Sequence, residues 1–288
     1  NPEYIKDLYE MMAFALWRDN TDKNMMFFLQ GTGSNGKSLY MNIFNKLLGQ
    51  ENTSALSISK LNDRFLRGEL LGKWMNNGGE LPVDKPLQGP EVLKELSAGD
   101  LVTTDVKYQS AVRFRNHAKL LFFCQQTPQS PDTSDAFYRR FYIIPFPFKY
   151  NKGATSNNIL ESIDKEEWEA LAYDCIRTLR DLRKRNFDFN HDPDAKEVRK
   201  KAERDADLVS RFIDDYCIRD HNEHSTITKF DFQDRLFNWI RSQGKHNPYT
   251  NMSLGSHMKQ ILGFMDSRKS FIRNGEEKQY YCWTGLMW

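Results

Sequence analysis

The chain has 288 residues, 39% hydrophobic and 28% charged, enough apolar material for one mid-sized globular core and a smaller companion. No apolar run approaches the ~18 residues a membrane span needs. Cys124, Cys175, Cys217 and Cys282 stand far apart without metal-ligand pairing, which argues against a disulfide framework or a zinc site and fits a reducing compartment. A formal net charge of +2 says little about partners until the positive residues are located.

The opening NPEYIKDLYEMMAFALW is amphipathic and predicts a helix ending near Arg18. It carries neither an initiator Met nor a basic leader with a cleavage site, and the chain is expected to be a soluble segment of a longer protein. After the polar turn DNTDKN, the run MMFFLQ predicts a strand, GTGSNGKS a loop and LYMNIFNKLLG a helix. From residue 39 to 125 helical and strand patterns alternate, as an α/β core requires. VLKELSAG reads as a helix stopped at Gly99. VTTDVKYQSAVRFRNHAKLLFFC reads as two or three β segments, the last, Leu120 to Cys124, wholly apolar and expected to be a buried central strand. FYIIPFPFKY is a further strand, and the polar NKGATSNN is expected to be a domain edge.

Three amphipathic helical patterns follow: IDKEEWEALAYDCIRTLRDLRKR, KEVRKKAERDADLVSRFIDDYCIRD and KFDFQDRLFNWIRSQG. SLGSHMKQILGF predicts another helix, and SRKSFIRNGEEKQYYCW a hairpin turning at Asn274-Gly275. Helices closed by a terminal hairpin suggest a winged helix-turn-helix. The expected organisation is an N-terminal helical segment (1–22), a P-loop ATPase core (23–150), a helical connector (151–206) and a winged-helix-like domain (207–288). No internal repeat or low-complexity segment is visible.

GTGSNGKS places Gly31, four residues, then Gly36, Lys37 and Ser38 between a strand and a helix, the context of a phosphate-binding loop. Its glycines let successive amides and the helix N-terminus face phosphate oxygens. The expected nucleotide contacts are Gly31, Thr32, Gly33, Ser34, Asn35, Gly36, Lys37, Ser38 and Leu39. Lys37 is expected to reach the β- and γ-phosphates of ATP, and Ser38 to ligate Mg²⁺.

Downstream, GKWMNNGGELP sits where a second core strand would deliver an acid to the metal and the attacking water, and Glu80 is that acid. An exposed loop glutamate before Pro82 is the plainer alternative. LLFFCQQTP ends a strand in two amides, so Gln125 is placed to orient a hydrolytic water, although glutamines after a strand are also ordinary turn residues. In DTSDAFYRRFYIIPF, Arg139 and Arg140 precede an apolar strand and are candidates for a guanidinium supplied to a neighbouring subunit's site, with a surface ion pair as the alternative. Between Asp105 and Lys119 four cations, Lys107, Arg113, Arg115 and Lys119, face one acid. A lysine at a loop tip beside Tyr108 can hold a backbone phosphate while the ring offers a face to a base. From Lys229 onward nine Lys and Arg oppose five Asp and Glu, with Arg268, Lys269 and Arg273 about the hairpin, which suits forked DNA and a docking protein equally.

Taken in order, GTGSNGKS, GGELP, ELSAGDLVTT, LLFFCQQTP and DAFYRRFYIIPF resemble the superfamily III helicases of the phage and plasmid primase-helicase type, which poxviruses share. The tail is similar to their winged-helix C-terminal region. The resemblance implies an α/β P-loop core of AAA+-like type and a hexameric ring hydrolysing ATP with Mg²⁺ between subunits. Such a ring pulls single-stranded or forked DNA through its channel, moving 3′ to 5′. It also implies a primase or polymerase domain in the same longer chain, no membrane partner, and a place in the cytoplasm of the host cell. By position, Lys37 and Ser38 match the Walker A pair, Glu80 the Walker B acid, Gln125 the sensor position usually held by asparagine, and Arg140 the arginine finger with Arg139 beside it. Lys107 and Tyr108 match the channel hairpin. Two departures from the family pattern stand out: Gly79 precedes Glu80 where a pair of acids is common, and Gln125 is longer than asparagine. Neither excludes hydrolysis, and both are compatible with slow turnover. Assembly by ATP without turnover, or action on protein partners, are the rival readings.

Overall fold

The computed structural model describes residues 4–20, 23–83, 85–105, 111–150, 159–191, 194–220, 225–242, 248–261, 263–273 and 276–288. The chain divides into two compact units, residues 1–203 and 204–288. The first contains α1 (Ile5–Ala15), β1 (Met26–Gln30), α2 (Lys37–Leu48), β2 (Thr53–Ser54), α3 (Ile58–Asn62), β3 (Met75–Glu80), α4 (Pro90–Ala98), β4 (Leu101–Thr104) and β5 (Val112–Arg115). It continues with β6 (Lys119–Cys124), α5 (Asp135–Tyr138), β7 (Phe141–Pro145), α6 (Ile159–Ser162) and α7 (Lys165–Lys184), and ends within α8 (Ala195–Ala206).

Five of its strands form one parallel sheet in the order β2-β3-β6-β1-β7. Strands covered on both faces must be apolar throughout, which is why MFFL in β1 and KLLFFC in β6 carry almost no polar residues. Successive side chains point to opposite faces. Met26 and Phe28 therefore pack with Leu61, Leu96, Phe141 and Val198, placing α3, α4 and α8 on one face. Phe27 and Leu29 pack with Phe14, Phe44 and Cys175, placing α1, α2 and α7 on the other. Layers of helices around a parallel sheet follow.

Strand β3 breaks the apolar pattern, and its neighbours explain why. β2 is only two residues long, so beyond Ser54 the backbone has no strand to pair with. The fully buried Asn76 replaces that pairing: its Oδ1 accepts from the Leu56 amide at 2.8 Å and from Ser54 Oγ at 2.8 Å, while its Nδ2 donates to the Leu56 carbonyl at 2.8 Å. The carboxamide here presents an N–H and a C=O to the Leu56 backbone as a neighbouring peptide would, so it stitches the edge of the sheet.

The N-terminal helix is fastened by charge. Asp7 and Glu10 are both fully buried. Arg185 donates to Glu10 at 2.7 Å, the Asn190 amide donates to it at 2.8 Å, and His191 Nδ1 lies 2.9 Å from Asp7. Tyr142 of β7 also donates to Asp7, and burial together with that bond pushes its phenol well above the ordinary range. Pairing these carboxylates offsets the desolvation that burial imposes.

β4 and β5 form an antiparallel ribbon, Thr104 opposite Val112 and Leu101 opposite Arg115. Lys107 and Tyr108 lie outside the described residues. Of the four cations counted in this stretch, Lys119 turns inward: it is 3% exposed, donates to the Asp19 carbonyl at 2.7 Å and to Asn20, and sits 4.1 Å over the Phe14 ring. Arg113 and Arg115 remain exposed.

The pattern KEVRKKAERDADLVSRFIDDYCIRD is two helices, not one. α8 stops at Ala206, and Asp207 caps α9 (Leu208–Tyr216) by accepting from the amides of Val209 and Ser210. Apolar spacing runs on through the break, so periodicity did not show it. The same carboxylate holds Tyr249 Oη at 3.1 Å and His257 Nε2 at 2.9 Å.

The second unit continues with β8 (Ile218–Arg219), β9 (Thr226–Thr228), α10 (Lys229–Ser242), α11 (Asn251–Ser256, continued by a wider turn His257–Ile261), β10 (Asp266–Arg273), β11 (Glu276–Thr284) and β12 (Leu286–Met287). β10, β11 and β9 form an antiparallel sheet in that order, and β8 pairs with β12. Phe212, Phe232, Leu236, Ile240, Met258 and Trp283 fill its core. Phe212 of α9 and Phe232 and Trp239 of α10 are thus packing residues, whereas Phe230 and Tyr216 are exposed. The Asn274-Gly275 turn and the 151–158 edge lie outside the described residues, and among those described no helix is long and apolar enough to cross a membrane.

Candidate active site

In a parallel sheet every strand ends on the same edge, and ligands bind outside the carboxyl ends. That edge gathers the residues singled out above. Gln30 ends β1, opposite Cys124 of β6, and Glu80 ends β3, opposite Phe123 of β6. Two strand spacings, ~10 Å, separate the β1 and β3 ends. A terminal phosphate with an ion and a water fits that span.

The loop 31–36 leaves β1 at Gly31, whose amide donates to the Cys124 carbonyl at 2.9 Å, and enters α2 at Gly36. Gly33, Ser34 and Gly36 have φ of 101°, 50° and 91°, left-handed values that glycine adopts without penalty. Gly31 is required for a different reason. A Cβ there would lie 2.0 Å from Asn35 Nδ2. Asn35 is 6% exposed and donates to the Phe146 carbonyl at 3.0 Å, while the Tyr150 amide donates to the Ser34 carbonyl at 2.8 Å. The segment after β7 thereby clasps the loop.

Lys37, the first residue of α2, is 5% exposed, and its ammonium donates to the Gly31 carbonyl. A buried cation resting on a neutral oxygen of the loop it serves fits a position completed by an anion. Thr32, Gly33, Ser34 and Ser38 are exposed and Leu39 is half-buried on the first turn of α2, so the Ser38 hydroxyl is open to an ion. Glu80 is exposed as well. Loop, ammonium, hydroxyl and carboxylate together fit a nucleotide phosphate chain with Mg²⁺.

The glycines before Glu80 have a structural cause. Pairing passes from Asn77 opposite Leu121 to Glu80 opposite Phe123, so β3 carries one extra residue, a β-bulge. Gly79 sits in it at φ 75°. A Cβ on Gly78 would press within 2.2 Å of the Phe122 ring. The missing second acid is therefore a consequence of backbone geometry: an aspartate at 79 would be forced into the left-handed region. The bulge also re-aims the strand end on which Glu80 stands.

Gln125 is exposed just past β6. Gln126 is turned away, its amide donating to the Val83 carbonyl at 2.7 Å. Of the two amides Gln125 is the one open to the site edge. A cavity of about 260 Å³ lies along the β3 end, lined by Ser57, Gly78, Glu80 and Leu87 among others.

Arg139 and Arg140 are not brought to this edge. They follow α5 and precede β7, whose first residue Phe141 pairs with Met26, so they lie at the opposite end of the strands. Five residues of strand put them ~16 Å from the loop along the sheet. Arg139 is exposed, whereas Arg140 is 7% exposed, with its guanidinium folded onto the Ala136 carbonyl and its pKa lowered by burial. Within one chain neither reaches the phosphate loop. Asn76 was the residue that sequence reading missed, and Asn35 was expected as a nucleotide contact only. Asn35 was visible as a fixed part of the loop pattern, but its clasp on Phe146 spans 111 positions.

This geometry is compatible with a P-loop-like α/β core. Residues 29–140, which hold the loop, Glu80, Gln125 and both arginines, match a family model described as "Family of unknown function (DUF5906)". The chain is similar to "Putative helicase L207/L206" of Acanthamoeba polyphaga mimivirus, with 24% identity over 263 residues, covering 83% of this chain and 27% of that protein. It is also similar to "Putative helicase 121R" of Invertebrate iridescent virus 3, with 30% identity over 145 residues, covering 46% of this chain and 15% of that protein. The chain thus spans little more than a quarter of the first relative and less of the second. Among solved structures it resembles one titled "The A form apo structure of NrS-1 C terminal region-CTR", at 13% identity and a TM-score of 0.45, covering 96% of this chain and 70% of that one.

Proposed function

We propose that this chain is the ATP-driven motor module of a viral or plasmid replication helicase of superfamily III type. It would hydrolyse ATP between the subunits of a hexameric AAA+-like ring and translocate on single-stranded DNA. The observation that carries the proposal is the convergence of a phosphate loop, an exposed Ser38, Glu80 and Gln125 on one sheet edge, with the arginines displaced to the other. The naming of two similar viral proteins as helicases supports it.

On this reading Lys37 exchanges the Gly31 carbonyl for phosphate oxygens, a charged acceptor for a neutral one. Ser38 and Glu80 are the residues that would hold Mg²⁺, which when bound neutralises charge on the phosphates. Glu80 accepts the proton of the attacking water, and Gln125 orients that water. The displaced arginines suit a site completed by a second copy, since a guanidinium ~16 Å away cannot act in its own chain but can serve a neighbour. The ribbon β4–β5, with exposed Arg113 and Arg115 and with Lys107 and Tyr108 between its strands, is the proposed DNA contact. The described residues of the second unit run helix, two strands, two helices and three strands, an order that suits a winged helix at a DNA fork. A primase or polymerase domain elsewhere in a longer chain, and action in the host cytoplasm, complete the proposal. The polarity of β3, which would favour assembly without turnover, is accounted for by the Asn76 stitch and the bulge.

Strand displacement on a forked duplex with ATP tests this directly. Wild-type protein should separate the strands and Lys37→Ala should not. Displacement by Lys37→Ala equal to wild type would remove the loop from the mechanism.

A further inference from the structure

The phosphate loop has a second lysine beside it. Lys201 of α8 donates from Nζ to Gln30 Oε1 at 2.8 Å, across 171 positions of sequence. Gln30 is the residue before Gly31, so two ammonium groups, those of Lys201 and Lys37, rest on neutral oxygens of two consecutive residues at the start of the loop.

Helix α8 is held in register. Val198 is 6% exposed and Ala202 fully buried, both within the core that includes Phe28, Cys124 and Phe141. Arg199 donates to the Thr133 carbonyl at 3.2 Å and to Asp135 at 2.9 Å. Lys201 stands on the flank of that inward face and is itself exposed, so its ammonium is accessible to a ligand. Among the described residues Arg199 pairs with Asp135 and Glu203, and no carboxylate is paired with Lys201. A flexible four-carbon stem on a fixed helix can swing its charge several ångströms.

The geometry points to Lys201 as a second phosphate lysine: when a nucleotide occupies the loop, its ammonium leaves Gln30 and pairs with the phosphate chain. This rests on the nucleotide-binding reading above. It adds a contact delivered from beyond β7, by a helix that the loop motif does not include. Charge-assisted bonds are stronger than bonds to a neutral amide, so the exchange favours the bound state.

The test is equilibrium binding of a fluorescent ATP analogue with Mg²⁺ to the intact chain, with melting temperatures recorded in parallel. Lys201→Ala should weaken binding about tenfold, Lys201→Arg should stay within about threefold, and Gln30→Ala should also stay within about threefold, because Gln30 only parks the lysine. Added salt should weaken Lys201→Ala binding less steeply than wild type. Wild-type affinity in Lys201→Ala would overturn the assignment, as would equal losses in Gln30→Ala and Lys201→Ala, which would mark a packing pair. Lys37→Ala separates the two levels. If it loses binding while Lys201→Ala does not, this inference alone fails; if it binds like wild type, or wild type binds no nucleotide, both readings fall.

Discussion

Replacing Gly78 with alanine tests whether the end of β3 is held where Glu80 needs it. The new Cβ would lie 2.2 Å from Cε1 and 2.4 Å from Cδ1 of Phe122, and 3.1 Å from the Leu56 carbonyl oxygen. Phe122 is fully buried, its ring 5.8 Å from that of Phe28, so it has no open space to retreat into. Either the ring or the strand must shift, and overpacking of this kind costs ~1–3 kcal/mol. In a unit of this size that lowers the melting temperature by ~2–12 °C. The strand is the freer of the two, because it already bulges between Asn77 and Glu80. Glu80 moves with it, and a misplacement of ~1 Å can cost on the order of 100-fold in rate. Gly79→Ala is the comparison. Nothing lies within 4 Å of its would-be Cβ, so the penalty is that of φ 75° alone, ~1–2 kcal/mol. Scanning calorimetry and ATP turnover on the two variants should show Gly78→Ala losing more of both. Wild-type melting and turnover in Gly78→Ala would refute the account of how Glu80 is positioned.

Asn76→Ala strips the Leu56 amide and carbonyl of their partners at a fully buried site, so urea unfolding should show a loss of ~2–5 kcal/mol; a loss under ~1 kcal/mol would mean the stitch is dispensable. Arg140→Ala should lower both melting temperature and turnover, because the residue is buried on Ala136, whereas Arg139→Ala should leave melting unchanged and affect turnover less. Undiminished turnover in Arg140→Ala would take that residue out of the reaction. Hydrogen bonds from Lys94 and Ser134 hold the Asp132 carboxyl at about 2, down from 3.8. A depressed carboxylate stabilises the fold fully above its unfolded pKa and loses that contribution as pH falls through the folded one. Lys94→Ala should therefore be less stable than wild type by ~1 kcal/mol at pH 7, with the gap closing between pH ~4 and ~2; a gap that stays constant over that range would contradict the ion pair's role.

What could be read from residues alone was whatever is local. The glycine spacing of the loop needs only a strand before and a helix after, and β1 and α2 lie where the pattern placed them. LLFFC announced a strand buried on both faces, and β6 lies between β3 and β1. The rest depended on partners far along the chain. Asn76 looks out of place until the shortness of β2 is known, and Gly79 looks like a lost acid until the register shift shows a bulge. Lys119 counted as a ribbon cation until Asp19 and Phe14 drew it inward. Alternation could say that Arg139 and Arg140 differ, but not which of them faces solvent, because α5 and the Ala136 carbonyl decide that. The break at Asp207 was masked by apolar spacing that continues across it.

The most direct test of the central claim is the rate of ATP turnover with and without single-stranded DNA. The account predicts slow basal hydrolysis, stimulation by DNA that declines as salt rises, and loss of both in Lys37→Ala. Turnover indifferent to DNA, or unchanged in Lys37→Ala, would contradict it.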